Sequence, residues 1–202
     1  MEHTNEMNFY KDYIWEYLKE VKEIARLMDQ ESVARLAEHL HILRERRGRL
    51  FIIGIGGSAA NASHAVNDFR KICGIEAYAP TDNVAELTAW TNDDSFDVIF
   101  SKWLQCSRLS SKDAVLVLSV GGGSDTTSKN IKRALELAKE VGAMTLGIVS
   151  RNGGATKAMG DAVVLVPVVH EKRITPHAEE WQAVLWHLIT NALEEYSPLK
   201  KP

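Results

Sequence analysis

Residues 50–64, LFIIGIGGSAANASH, decide how this chain folds. An unbroken apolar run over 50–55 is too short for a helix and fits a strand buried on both faces. Gly56 and Gly57 then allow a tight turn, and Ser58 opens a helix predicted over 58–72. A strand that runs through glycines into a helix leaves unpaired amides at the turn, and such amides attract anions.

The same grammar repeats outward. Apolar runs at 75–79, 114–120, 144–149 and 162–168 fit four more buried strands. Helices or turns are predicted between them at 84–89, 98–108, 124–141 and 155–159, with a last helix over 178–196. Strand and helix in alternation imply a parallel sheet covered on both faces, an α/β fold. Upstream, residues 8–47 show two helical patterns, broken near Asp29, Glu31 and Ser32 and ending at Gly48. The basic run 44–49 sits in a last helical turn, where cations oppose the helix dipole, so it calls for no nucleic acid.

Composition narrows the function classes. A formal charge of −3 gives no general attraction to nucleic acid or anionic membrane, so anion binding must be local. Cys73 and Cys106 form no close-spaced pair, which argues against a disulfide framework and for a reducing cytoplasm. The first 20 residues are charged throughout and lack a signal-peptide core, and no window is apolar enough to span a membrane. One domain over 1–202 is expected.

A second strand ends in GGGSDTT at 121–127, again glycines followed by a hydroxyl at a helix start. Two such loops at the carboxyl edge of a parallel sheet point to a phosphate. Neither is a P-loop, because no lysine follows in register, and Ala59 stands where a dinucleotide fingerprint needs its last glycine. The Gly153-Gly154 turn receives no ligand. His64 and Asp68 are one helical turn apart and share a face, as a metal or acid–base pair would. Glu179 and His187 lie eight apart on the last helix, and Glu180 is the nearer neighbour of the His187 face. His170, Arg173 and His177 are expected in the loop before that helix.

At residues 56–64 the chain resembles the sugar isomerase (SIS) family and, within it, the phosphoheptose isomerases, which carry a GNGGSAADAQH-like segment with a glutamate four residues after the histidine. Asn92-Asp93 is similar to that family's GND turn, residues 119–124 to its STSGNS loop, and residues 179–187 to its Q-x7-H pattern. The resemblance implies a three-layer sandwich around a five-stranded parallel, flavodoxin-like sheet, with residues 1–47 as helices that pack in an oligomer. It implies an aldose–ketose isomerase converting sedoheptulose 7-phosphate to D-glycero-D-manno-heptose 7-phosphate, a cytoplasmic homotetramer with active sites between subunits. By position, Gly57, Ser58, Asn92, Asp93, Ser119, Gly121 and Ser124 would bind substrate or phosphate. His64, Asp68, Glu179 and His187 would hold zinc, and Asp68, Asp93, Glu179 and His187 would carry the catalysis. The chain departs from the pattern at Ile55, Asp68, Gly121, Gly123 and Glu179. Two alternatives stay open: a non-catalytic sugar-phosphate-binding or regulatory protein of the same fold, and an enzyme of amino-sugar phosphates.

Overall fold

The computed structural model describes residues 2–196. Helices α1 (Glu2–Leu27) and α2 (Gln30–Glu45) lead into β1 (Leu50–Ile53), α3 (Gly57–Lys71), β2 (Ala77–Tyr78), α4 (Val84–Asp93) and α5 (Ile99–Cys106). Then follow β3 (Ala114–Leu118), α6 (Lys129–Val141), β4 (Met144–Val149), α7 (Gly154–Met159), β5 (Ala162–Leu165) and α8 (Ile174–Glu195). The five strands form one all-parallel sheet in the order β2-β1-β3-β4-β5. This is the doubly wound α/β architecture that the alternating pattern implies.

Alternation along each strand builds two cores. Leu50 and Ile52 of β1, with Leu116 and Leu118 of β3, face a layer made by Leu36, Leu40, Phe69, Trp186 and Ile189. Phe51 and Ile53, with Val115 and Val117, face Phe100, Leu104, Ile131 and Leu135. Every residue of β1 and β3 is therefore buried, which is why these strands appear in the sequence as unbroken apolar runs.

The sheet order reverses at β1, whose chain crosses to β2 on one side while β3 flanks it on the other. Loops leaving the carboxyl ends of β1 and β3 diverge there and open a crevice. Helix α8 packs on α3 in the same direction, so Gln182 meets Ser58 and Trp186 meets Asp68. Those two helices carry the site.

Long-range polar clamps fix the periphery. Asp113 is buried and accepts from the Arg49 backbone amide (3.0 Å), its guanidinium (2.8 Å) and Ser110 (2.9 Å). Burial pushes the Asp113 carboxyl up, but these bonds outweigh it and hold the group below the usual carboxylate range. On α1, Glu20 accepts from Arg173 Nε (2.7 Å) and pairs with His177 Nε2 (2.8 Å). Tyr17 donates to Glu180, and burial together with that bond pushes its hydroxyl well above the ordinary value. This ties α1 to the first turns of α8.

Several elements differ from expectation. Residues 124–128 are not helical: Ser124 Oγ accepts from the amides of Thr126 (3.2 Å) and Thr127 (2.9 Å), a local turn that competes with the helix until Lys129. Strand β5 stops at Leu165 rather than 168, and β2 keeps only two residues. Helix α8 begins at Ile174, not 178, because Pro176 falls in its first turn, where no amide is needed. His177 is consequently a buried helical residue instead of a loop residue. Among the described residues, no helix is long and apolar enough to cross a membrane.

Candidate active site

The loops after β1, β3 and β4 enclose a cleft of about 450 Å³ at the sheet's carboxyl edge. Ser58, Ser119, Gly121 and Ser124 line it, as the two glycine–serine loops suggest. The serine hydroxyls are not equivalent. Ser58 Oγ accepts from Gln182 Nε2 at 3.1 Å, and Ser119 Oγ accepts from the Gly122 amide at 3.1 Å. Each therefore keeps its own proton to donate into the cleft. Ser124 instead spends its oxygen on shaping the 124–127 turn.

The buried chain behind Ser58 escapes the sequence reading. Gln182 is fully buried and its Oε1 accepts from Asn61 Nδ2 at 2.9 Å, while the same Asn61 nitrogen donates to the Glu179 carbonyl at 2.9 Å. The signal in the sequence is Gln182, an amide among the apolar Ala178, Leu185, Trp186 and Ile189 of α8, with Asn61 one turn from Ser58 on α3. Arg151 and Asn152 also line the cleft, a correction to the expectation that the Gly153-Gly154 turn holds no ligand-facing residue. The signal for these lay in topology: β4 neighbours β3, so their following loops must lie side by side.

Further along α3, His64, Asp68 and His187 offer ligand atoms that all lie within 4.8 Å of one another. His64 Nε2 stands 3.5 Å and His187 Nε2 3.3 Å from the same oxygen, Asp68 Oδ2. Asp68 is buried, and its oxygens accept from Trp186 Nε1 (3.1 Å) and Asn67 Nδ2 (3.1 Å), which fixes its orientation. His187 Nδ1 lies 2.8 Å from the Ala183 carbonyl, an acceptor only, so Nδ1 carries the proton. The neutral ring then turns the Nε2 lone pair toward a carboxylate oxygen. Two lone pairs at that separation call for a proton or a metal ion between them. Two imidazoles and one carboxylate, with both histidines half exposed, suit a divalent ion with an open position.

Glu179 is not part of that trio. Its carboxylate lies against Gly57, where a side chain would collide with it: an added Cβ would stand 2.4 Å from Glu179 Oε2. Gly57 is seven residues before His64, about 10 Å along the helix, so Glu179 belongs to the phosphate end of the groove. The reason is register: α8 runs parallel to α3, and eight residues separate Glu179 from His187. Asn92 and Asp93 stand at the exposed end of α4 and line neither the cleft nor the trio. Asn92 Nδ2 donates to Asp93 Oδ1 at 2.9 Å. Helix α4 buries none of its residues, so nothing in this chain draws them inward.

No family model matches the chain. Curated relatives do. It is 33% identical over 168 residues to the phosphoheptose isomerase of Trichlorobacter lovleyi, with 81% of each chain covered. It is 31% identical over 188 residues to that of Helicobacter pylori, with 90% of each covered. The solved structure of phosphoheptose isomerase from Neisseria gonorrhoeae superposes with a TM-score of 0.79 at 26% identity, over 94% of this chain and 98% of that one. Likeness at this level over most of the chain, together with the shared five-stranded parallel sheet, makes this chain a member of the phosphoheptose isomerase family, on the SIS fold.

Proposed function

We propose that the chain interconverts sedoheptulose 7-phosphate and D-glycero-D-manno-heptose 7-phosphate through an enediol. The observation that carries this is the linear order of the groove. Hydroxyl and amide donors for a phosphate sit at one end of α3 and α8, and the acid–histidine trio sits about 10 Å further along the same two helices. An extended sugar held by its phosphate brings its other end, C1 and C2, to the trio.

In this reading a carboxylate takes a proton from C1 of the ketose while O2 gains one. The enediol then loses a proton from O1 and receives one at C2, so the aldose forms with no net change in composition. The carboxylate at that end of the groove is Asp68; Glu179, whose side chain no hydrogen bond or ion pair ties up among the described residues, reaches C1 only by swinging off Gly57 along the groove. Asp68 holds both histidines, and with no metal on it the Nε2 of His187 passes protons between the oxygens. A zinc ion held by His64, Asp68 and His187 would polarise those oxygens.

The proposal includes a homotetramer in the cytoplasm with active sites between subunits. Phe9, Tyr10, Ile14, Trp15 and Leu18 leave a broad apolar band of α1 open, which supports self-association. Asn92 and Asp93, exposed on α4, would then meet substrate bound by a neighbouring copy. Free Cys73 and Cys106 fit a reducing compartment.

Incubation with sedoheptulose 7-phosphate in heavy water tests the chemistry. Deuterium should appear on carbon in the aldose product. Protein that binds the sugar phosphate but never exchanges that proton would be a binding module instead.

A further inference from the structure

We infer that Arg151 is the cationic ligand of the phosphate, presented by a turn that also shapes the second glycine loop. This rests on the phosphate reading of the cleft and adds a residue to it. A phosphate monoester carries about 1.5–2 negative charges at neutral pH. Yet the cleft is otherwise walled by hydroxyls, the Asn152 amide, backbone and apolar groups, and Arg151 is the one charged residue among the described residues that line it. Its guanidinium has no hydrogen-bond or ion-pair partner among the described residues. By contrast Arg26, Arg44, Arg49 and Arg173 are all engaged. Arg47 and Arg108 share its left-handed backbone but do not line the cleft, so place and not strain distinguishes Arg151.

The turn that carries Arg151 is locked to the phosphate loop. Ser150 binds the Val120 carbonyl through its amide (3.0 Å) and the Val166 carbonyl through its hydroxyl (2.9 Å). Just beyond Arg151, the amides of Ala155 and Thr156 donate to the carbonyls of Gly123 (2.8 Å) and Gly122 (3.0 Å), and Thr156 Oγ1 adds a bond to Gly122 at 2.8 Å. Gly154 lets the two loops touch, since an added Cβ would stand 2.4 Å from the carbonyl oxygens of both Gly121 and Gly123. The carbonyls of Gly122 and Gly123 are thus engaged with the α7 turn instead of facing an anion in the cleft. The third glycine pair is a brace that turns repulsive oxygens away and fixes the base of an arginine beside the donors of Ser58 and Ser119.

Titration of inorganic phosphate into wild type, Arg151→Gln, Arg151→Lys and Ser58→Ala, followed by calorimetry, tests this, with KM for the sugar phosphate as a second readout. Loss of a charge-assisted bond predicts affinity weaker by about 10- to 100-fold for Arg151→Gln, with partial recovery in Arg151→Lys. A matching rise in KM is expected. If Ser58→Ala weakens phosphate binding and Arg151→Gln does not, the role of Arg151 is wrong while the phosphate cleft stands. If neither variant changes it, the phosphate reading itself fails and this inference with it.

Discussion

Gln182 Nε2 donates to Ser58 Oγ across 3.1 Å of buried space, and that one bond sets the polarity of the serine hydroxyl. Because the oxygen already accepts, the proton is left for a ligand. Gln182→Glu should reverse this, as a carboxylate can only accept and would draw the Ser58 proton inward. Phosphate affinity is expected to fall at least 10-fold, roughly the worth of one bond to a charged group. Gln182→Leu also strips Asn61 of a buried partner and should cost about 1–3 kcal/mol in urea unfolding. Phosphate binding unchanged in Gln182→Glu would contradict the assigned polarity.

The trio and Glu179 should separate in a metal titration. His64→Ala, Asp68→Asn and His187→Ala each remove a ligand and are expected to lose a bound cobalt or zinc ion, read by cobalt absorption or elemental analysis. Glu179→Gln should keep the metal; turnover lowered by at least about 100-fold would show that its carboxylate swings from Gly57 to the carbon proton, and turnover near wild type that Asp68 takes that proton. Metal lost in Glu179→Gln would mean that the carboxylate leaves Gly57 and joins the histidines.

The α1–α8 clamp predicts an acid signature. The Arg173 hydrogen bond dominates, burial opposes it and the His177 contact adds to it, together lowering the Glu20 carboxyl from 4.5 to about 2. A carboxyl lowered in the folded state stabilises fully above its unfolded value and loses that contribution as pH falls through the folded one. The stability difference between wild type and Glu20→Gln should therefore be fully present just above pH 4.5 and shrink steadily toward pH 2. Chemical denaturation at stepped pH reads this directly. A difference that does not change with pH across that window would remove Glu20 from the clamp.

Asp113 makes a second test of the polar scaffold. Asp113→Asn leaves Arg49, which meets it at 2.8 Å, without its counter-charge, although the partly exposed guanidinium keeps its bonds to the Ser107 and Arg108 carbonyls. Losing one partner of such a hydrogen-bonded group costs about 1–3 kcal/mol, and a lowered denaturation midpoint with unchanged slope is expected. A midpoint equal to wild type would show that the amide replaces the carboxylate fully.

What could be read without coordinates follows from the range of the forces involved. β1, β3 and β4 are buried on both faces, so their apolar runs mark them in the sequence almost to the residue. The His64–Asp68 pair was also accessible, since one helical turn fixes it. Glu179 was not: its distance from the trio depends on how α8 registers on α3, which no local spacing encodes. Residues 124–128 were lost to a side-chain turn at Ser124, and His177 to a proline that the first turn of α8 tolerates. Arg151 required knowing that β4 lies beside β3.

Gly57 invites the view that it is bare so that a phosphate can come close. In the folded chain the space above its Cα is taken by the Glu179 carboxylate. The two positions are thus bound to a common history. A side chain gained at 57 would push the flexible end of Glu179 aside, so the two positions share one space and a change at either is felt at the other. A survey of descendants of this sequence, natural or selected in the laboratory, should find the two positions changing together.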